Sequence, residues 1–218
     1  GSSVASQDVA EGGQAVEPSD PTRSGYWFVG WYTDDVTFAN LYNFSSAINA
    51  PITLYAKWNV NATDLFISEY IEGSSSNKAI EIYNGTGAAI NLTGYSVKLY
   101  SNGATTPIST LNLSGTINNG DVYVIYNSSS VQVIKDAGDL ANNGVTNFNG
   151  NDVIELVKNS VVIDRLGVVG SSTDFAINVT LTRLATITSG NTTFSLSEWN
   201  SYASDTFIYL GSHVYNPE

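Results

Sequence analysis

Short segments of alternating apolar and polar residues, separated by turns rich in Asn, Gly and Ser, run through the chain from residue 64 onward. In residues 95–99 the apolar and polar side chains alternate with a period of two, which predicts a strand with one buried face. Residues 153–158 and 161–166 flank Asn159-Ser160, which predicts a hairpin closed by a two-residue turn. This pattern is typical of an all-β sandwich.

The remaining strands follow from the same periodicity, and they are predicted at residues 65–71, 79–83, 121–126 and 179–184. Residues 121–126 are apolar on both faces after the first position, as expected for a central strand. One short helix is predicted at residues 131–140. We therefore expect a mostly β protein.

The chain is acidic and carries few charges of either sign. It has 20 acidic and 8 basic residues, a net charge of −12, and only 13% charged residues. A phosphate-binding surface requires clustered Lys and Arg, and the sequence has no such cluster. Direct binding of nucleic acid is therefore not expected.

The residues that catalysis most often uses are scarce. There is no cysteine, which excludes disulfides, thiolate metal ligands and a cysteine nucleophile. The single histidine, His213, cannot form a zinc site alone, and no nucleophile-elbow motif accompanies it. We expect His213 to be structural or merely exposed and the chain not to be an enzyme, with any catalytic domain elsewhere in the full-length protein.

The first 60 residues carry motifs of their own. They are Val9-Ala10-Glu11-Gly12-Gly13, Val16-Glu17-Pro18, Pro21-Thr22-Arg23, Gly25-Tyr26, Gly30-Trp31-Tyr32, Pro51-Ile52-Thr53 and Leu54-Tyr55-Ala56-Lys57-Trp58. The set resembles the Listeria–Bacteroides repeat, a small β-grasp-like module of bacterial surface proteins. The resemblance implies that residues 1–59 form this module without its first strand, which is either missing or supplied in trans. An edge left open in this way would favour dimerisation by strand addition.

A second set of motifs covers most of the remaining chain. It comprises Leu65-Phe66-Ile67-Ser68-Glu69-Tyr70, Lys78-Ala79-Ile80-Glu81-Ile82-Tyr83-Asn84, Ile90-Asn91-Leu92-Thr93-Gly94-Tyr95, Asp152-Val153-Ile154-Glu155-Leu156, Thr180-Leu181-Thr182-Arg183 and Glu198-Trp199. These residues resemble the bacterial lamin-tail domain, as found beside extracellular nucleases. The resemblance implies an immunoglobulin-like sandwich over residues 64–214, a linker at 60–63, and a secreted or cell-surface bacterial protein.

Glu81 and Arg183 stand out among the charged residues. Both lie in motif-bearing strands and are surrounded by apolar residues. We expect them to form a structural ion pair that fixes the order of the strands. The alternative is that each points into water, where an ion pair contributes only about 0–1 kcal/mol.

Acidic residues and an oxygen-rich loop suggest two further kinds of polar site. Glu69, Glu72, Glu81 and Glu155 are candidates for the carboxylate pair of a glycosidase, but sequence does not reveal their separation. The oxygen-rich residues 147–152 could bind calcium, although EF-hand spacing is absent and Asn/Gly loops are usually turns. No other cofactor is expected.

The aromatic residues suggest a ligand site. Trp199, Tyr202 and Tyr100 are candidate contacts for a glycan, with buried packing as the alternative. Trp31 and Trp58 belong to the repeat motif and are expected to pack inside it. Two functions follow: a structural and adhesion module that contacts proteins, or a carbohydrate- or matrix-binding accessory region of an extracellular hydrolase such as a nuclease. An open sheet edge favours the first, and contiguous exposed aromatics favour the second.

Overall fold

The computed structural model describes residues 1–217, which form two compact units, residues 1–61 and 62–217. The boundary lies inside the segment 60–63 that the sequence predicts as a linker. The backbone N–H of Asn61 donates to Gly25 O, whereas that of Ala62 donates to Gly85 O, so each belongs to a different unit. No helix within residues 1–217 has the length and apolar character needed to span a membrane.

The first unit contains one antiparallel pair of strands, β1 (Tyr26–Tyr32) and β2 (Tyr55–Val60). A bulge between Phe28 and Gly30 interrupts their register. The ring of Phe28 packs edge-on against Trp31 and Trp58, at centroid distances of 5.4 and 5.5 Å. The motif tryptophans Trp31 and Trp58 are thus partly buried against Phe28, as in a small aromatic core.

The second unit is a sandwich of two sheets, which confirms the predicted fold class. Its strands are β3 (Phe66–Glu72), β4 (Lys78–Tyr83), β5 (Ile90–Asn91), β6 (Tyr95–Tyr100), β7 (Ser109–Asn112), β8 (Thr116–Ile117), β9 (Val122–Tyr126), β10 (Leu140–Ala141), β11 (Val153–Lys158), β12 (Val161–Leu166), β13 (Val179–Arg183) and β14 (Trp199–Ala203). The six-stranded sheet has the order β10-β9-β4-β3-β13-β14, and the four-stranded sheet has the order β12-β11-β6-β7. The strands β5 and β8 form a separate antiparallel pair.

The core lies between the two sheets and is filled by alternate residues of their strands. Ile67, Tyr70 and Ile80 of the six-stranded sheet pack there with Val97 and Leu156 of the four-stranded sheet. The alternation read from the sequence therefore reports which face of each strand is buried.

The Asn159-Ser160 turn forms as predicted between β11 and β12. Both residues have positive φ, at 47° and 70°. Such a pair of left-handed residues is the geometry of a type I′ turn, whose twist matches that of the flanking strands.

The helix is shorter than predicted. The structure has α1 at Gln132–Asp136, not over residues 131–140. Leu140 and Ala141 instead form β10, which pairs in parallel with β9. Gly138 lies against the ring of Tyr126, so the chain turns here and does not continue as a helix.

The outer face of the six-stranded sheet is covered by α1 and by the last residues of the chain, 204–217, which we call the C-terminal segment. Phe207 and Leu210 of this segment pack with Ile71, Val124 and the helical Ile134. A second, smaller apolar cluster thus lies on the side of the sheet that faces away from the sandwich core.

Candidate functional site

Arg183 is buried at the end of β13 and forms two ion pairs. Its Nη2 lies 3.3 Å from Asp164 Oδ1 and 3.1 Å from Glu198 Oε2. Its guanidinium carbon lies 4.6 Å from the centroid of the Trp199 ring. Since Asp164 is on β12, the Asp164–Arg183 pair connects the four-stranded sheet to the six-stranded sheet.

Asp164 is the acceptor at the centre of this cluster. It accepts hydrogen bonds from the backbone N–H groups of Ile67 at 2.8 Å, Arg165 at 2.9 Å and Asn191 at 2.8 Å. Burial raises the pKa of Asp164, while the charge of Arg183 and these N–H groups act against the shift. The sequence signal for this residue is an acid beside Arg165 in a strand whose other residues are apolar.

The predicted Glu81–Arg183 ion pair is not formed, because the two side chains lie on opposite faces of the six-stranded sheet. Ile80 and Ile82 point into the sandwich core, so Glu81 between them points to the outer face. Arg183 lies on the core side, like Leu181 two residues before it, and β3 also separates β4 from β13. Glu81 Oε1 instead accepts a hydrogen bond from Ser68 Oγ at 2.6 Å, and Oε2 accepts one from the backbone N–H of Gly211 at 2.7 Å.

Glu69 lies directly opposite Glu81 in the antiparallel register of β3 and β4. Both residues are almost fully buried, with exposed fractions of 2% and 1%. Burial, together with the charge of Glu81, raises the pKa of Glu69 to about 9. Burial raises the pKa of Glu81 to about 7, although its hydrogen bonds act in the other direction. Both residues are candidate carboxylates in the sequence, but their adjacency depends on the pairing of β3 with β4.

The other two candidate carboxylates are held in ion pairs. Glu72 Oε1 lies 2.5 Å from Lys78 Nζ, and both side chains are buried. Glu155 Oε1 lies 2.6 Å from Arg165 Nη2, and Glu155 Oε2 accepts a hydrogen bond from Tyr100 at 2.7 Å. The four predicted acids are therefore divided among three structural clusters on different parts of the sandwich.

Two of the three predicted ligand-contact aromatics are buried. Trp199 has an exposed fraction of 7% and packs in the main core, where its ring lies against the guanidinium group of Arg183. Tyr100 is also buried, and burial raises its pKa to about 12. Only Tyr202 is partly exposed, and its ring contacts that of Tyr209 at a centroid distance of 4.6 Å and an interplanar angle of 37°. The predicted aromatic platform is thus reduced to this pair of tyrosines.

His213 occupies a structural position. Its ring packs edge-on against Tyr83 and Phe66, at centroid distances of 4.8 and 5.7 Å. Burial lowers the pKa of His213 to about 4, and the charge of Arg183 adds to this effect. A neutral imidazole enclosed by aromatic rings serves to attach the C-terminal segment to the sheet.

The predicted calcium loop, residues 147–152, is organised around Asp152. Its Oδ1 accepts a hydrogen bond from Asn102 N at 2.8 Å, and its Oδ2 accepts one from Asn149 N at 3.0 Å. Within residues 1–217, no group of three or more His, Cys, Asp or Glu side chains is arranged to hold a metal ion. The contacts of Asp152 are those of a side chain that stabilises a turn.

The end strand β14 presents unpaired backbone groups. Leu184 N donates to Glu198 O, so the hydrogen-bonded pairs between β13 and β14 are Thr182 with Asn200 and Thr180 with Tyr202. Ser201 lies between these pairs, opposite Leu181, and its N–H and C=O therefore point away from the sheet. The strand Trp199–Ala203 contains no charged residue and no proline. Charges and prolines are the usual protection of an edge strand, so β14 can accept a further strand.

The end strand β7 of the other sheet has the same character. Leu113 N donates to Tyr95 O, so Val97 with Leu111 is the next hydrogen-bonded pair between β6 and β7. Thr110 lies opposite Lys98, in a pair without hydrogen bonds, and its N–H and C=O therefore point away from the sheet. The strand Ser109–Asn112 also lacks charged residues and proline. Each sheet of the sandwich therefore has one edge suited to strand addition.

The first unit contains a cavity of about 430 Å³. Its lining is largely apolar and includes Val4, Val9, Trp31, Phe44 and Ile48. No acidic or basic side chain lines it, so its chemistry suits apolar contact and not acid–base catalysis.

Two family models match the chain. The Lamin Tail Domain model covers residues 59–170, and the Listeria-Bacteroides repeat domain model covers residues 1–57. The two modules thus follow one another in the order that the sequence motifs predict.

Two curated relatives, both from Evansella cellulosilytica, share part of the sequence. One is provisionally named a membrane protein and is 30% identical over 87 residues, which are 39% of this chain and 13% of the relative. The other is provisionally named a Gly-rich membrane protein and is 34% identical over 62 residues, which are 28% of this chain and 7% of the relative. The match thus covers a small part of each relative's length. No solved structure matches the chain.

Proposed function

Because residues 59–170 make this chain a member of the lamin tail domain family, with a Listeria-Bacteroides repeat domain before it, we propose that it is a non-catalytic structural and adhesion module at a bacterial cell surface. In this role the repeat acts as a spacer and the sandwich binds proteins. The observation that carries the proposal is the pair of open, uncharged edge strands, β7 and β14.

The edge of β14 supports this role through its hydrogen-bonding groups. Ser201 offers one N–H and one C=O to a partner strand, and such a pair is the repeating unit of an antiparallel ladder. Backbone bonds provide affinity in strand addition, and side chains on alternate positions provide specificity. We propose that the partner is an extended segment of another protein or of a second copy of the chain.

The charged clusters support a role without catalysis. Glu72 and Glu155 are neutralised by Lys78 and Arg165, and Arg183 is enclosed with Asp164 and Glu198. Burial and pairing of this kind stabilise the fold but do not direct a carboxylate at a substrate. The chemistry of any hydrolase is therefore assigned to a different domain of a longer protein.

The second candidate function is binding of a glycan. The observation that favours it is the Tyr202–Tyr209 ring contact, beside which Ile208 is 83% exposed. Aromatic rings with one apolar face and one hydroxyl group suit the apolar and polar faces of a sugar. The buried positions of Trp199 and Tyr100 act against it, because they leave Tyr202 as the one predicted contact residue that is partly exposed.

One binding experiment separates the two candidates. The chain is applied to an array of glycans and extracellular-matrix proteins as wild type, Ser201→Pro and Tyr202→Ala, with Ser201→Ala as the matched control. Proline removes the outward N–H of Ser201 but leaves the ladder with β13 intact. We expect binding to matrix proteins that weakens at least tenfold in Ser201→Pro and is unchanged in Ser201→Ala. Glycan binding lost in Tyr202→Ala supports the alternative, and no binding by wild type contradicts both.

A further inference from the structure

The acid pair Glu69–Glu81 lies where the C-terminal segment crosses the six-stranded sheet. The two carboxyl groups project from neighbouring strands at a β-bulge between Ile67 and Glu69. Glu81 Oε2 accepts the hydrogen bond of Gly211 N, which belongs to the segment. Glu69 Oε1 is buried and has no hydrogen-bond partner within residues 1–217. A buried carboxyl oxygen without a donor is costly when it carries charge.

Within residues 1–217, neither Glu69 nor Glu81 forms an ion pair with a basic side chain. Asp139, which precedes β10, acts on Glu81 as a further negative charge. Tyr209 of the C-terminal segment lies near Glu69 and is hydrogen-bonded to Tyr202 of β14. Arg183 is engaged by Asp164 and Glu198, and its charge acts on His213.

We propose that the C-terminal segment is a proton-dependent latch: it stays closed on the sheet while the Glu69–Glu81 pair holds a proton, and opens when both carboxyl groups are ionised. Two adjacent buried carboxylates repel one another, and opening of the segment lets water reach both. Opening and closing of the segment do not depend on which partner the edge strands bind.

The direction of the pH dependence follows from linkage. The closed state raises the pKa of Glu69 to about 9 and that of Glu81 to about 7, against an ordinary value of 4.5. A raised pKa means that the closed state binds protons more tightly than the open state. The stabilisation of the closed state is therefore complete below pH 4.5 and is lost as the pH rises through 7 and then 9.

The opening has a defined structural consequence. Phe207 and Leu210 pack on the outer face of the sheet beside Ile71, Ala79 and Val124. An open segment exposes both sides of this contact to solvent. The latch therefore changes the apolar surface of the sandwich, which is the property that governs association with other proteins.

Other contacts of the segment are insensitive to this titration. Asp205 Oδ1 accepts hydrogen bonds from Ser74 N at 2.9 Å and from Asn77 Nδ2 at 3.0 Å. Asn216 N donates to Ala185 O at 2.8 Å. These contacts stabilise the closed state without involving the acid pair. A substitution in one of them therefore serves as a control for loss of stability without loss of the titration.

The test is amide hydrogen exchange by NMR at Gly211 and Ser212, whose backbone N–H groups both donate to Glu81. Exchange is measured between pH 6 and pH 9, with each rate divided by its intrinsic rate. We expect protection in the wild type to fall at least tenfold over this range, since one proton contributes up to tenfold per pH unit. The amide of Ile154 in β11 serves as an internal reference for global unfolding. Its protection is expected to decline less than that of Gly211.

Two variants separate the latch from a general loss of stability. Glu69→Gln keeps the shape of the side chain and removes one titration, so the decline with pH is expected to become flatter. Asp205→Asn is expected to lower protection at every pH with an unchanged slope. The proposal is overturned if wild-type protection is independent of pH, if Gly211 and Ile154 decline equally, or if Glu69→Gln retains the wild-type slope. Should Glu69→Gln fail to fold, the comparison of Gly211 with Ile154 in wild type still decides.

Discussion

Asp164 on β12 and Arg183 on β13 form a buried ion pair with a separation of 3.3 Å, and this pair joins the two sheets of the sandwich. Both side chains are almost completely shielded from solvent, with exposed fractions of 0% and 1%. Three backbone N–H groups complete the coordination of Asp164. The pair therefore has the additional hydrogen bonds that a buried charge requires.

Removal of one partner from this pair should destabilise the protein strongly. We expect Arg183→Leu to lower the free energy of unfolding by about 3–5 kcal/mol, because Asp164 is left as an uncompensated buried charge. Lys158→Met is the matched control, since its pair with Asp64 is partly exposed and is worth only about 0–1 kcal/mol. Urea denaturation of both variants measures the difference. Equal losses in the two would contradict the structural role of the pair.

Trp199→Ala should act as a core mutation and not as a binding mutation. We expect a loss of about 3–5 kcal/mol, because the indole fills the core beside Arg183. Ile208→Ala is the control: its side chain is 83% exposed, so its effect should stay within about 0.5 kcal/mol. Thermal and urea unfolding supply both values. A Trp199→Ala variant as stable as wild type would show that the ring is not packed as described.

His213 should make the protein sensitive to acid. Its pKa is lowered to about 4 from an ordinary value of 6.5, so the unfolded chain binds a proton more tightly than the folded protein does. Stability is expected to fall as the pH decreases from 6.5 towards 4, by up to about 1.4 kcal/mol per pH unit from this residue. The measurement compares wild type with His213→Leu at pH 6.5 and 4.5. Parallel losses in the two proteins would assign the acid sensitivity to other groups.

The β11–β12 turn offers a stabilising substitution. Ser160 has a φ of 70°, which is strained for a residue with a side chain. Ser160→Gly gives the favoured Asn-Gly pair of a type I′ turn and should raise the free energy of unfolding by about 0.5–1 kcal/mol. Ser160→Ala retains a Cβ and should give no gain. Urea midpoints that rank the alanine variant above the glycine variant would contradict the assigned turn.

The strands could be predicted from sequence because their periodicity records which face is buried. The two sides of the Asn159-Ser160 turn, for example, lie within one residue of their predicted bounds, since turn residues and alternation both point to the same hairpin. The helix was predicted too long because the pairing of Leu140 with β9 is a tertiary contact. Local patterns carry no information about such a contact.

The polar clusters could not be predicted, because they depend on sheet order. Glu81 and Arg183 are both in apolar strands, but they lie on opposite faces of the sheet with β3 between their strands, and β3 places Glu69 beside Glu81. The same limit applies to Trp199, whose burial depends on the position of Arg183. The sequence shows the type of each of these residues and the strand that contains it, but not which strands are neighbours in the sheet.

The contacts of Asp164 have a consequence for the lifetime of the folded state. Its bond to Ile67 spans 97 residues, so the chain must bring distant segments together before the bond can form. Closing a loop of this length costs entropy before the bond can offset it, so we expect this contact to be incomplete in the transition state for folding. We therefore expect Asp164→Asn to speed unfolding more than it slows folding. A slow rate of unfolding prolongs the lifetime of the folded sandwich, whatever its equilibrium stability.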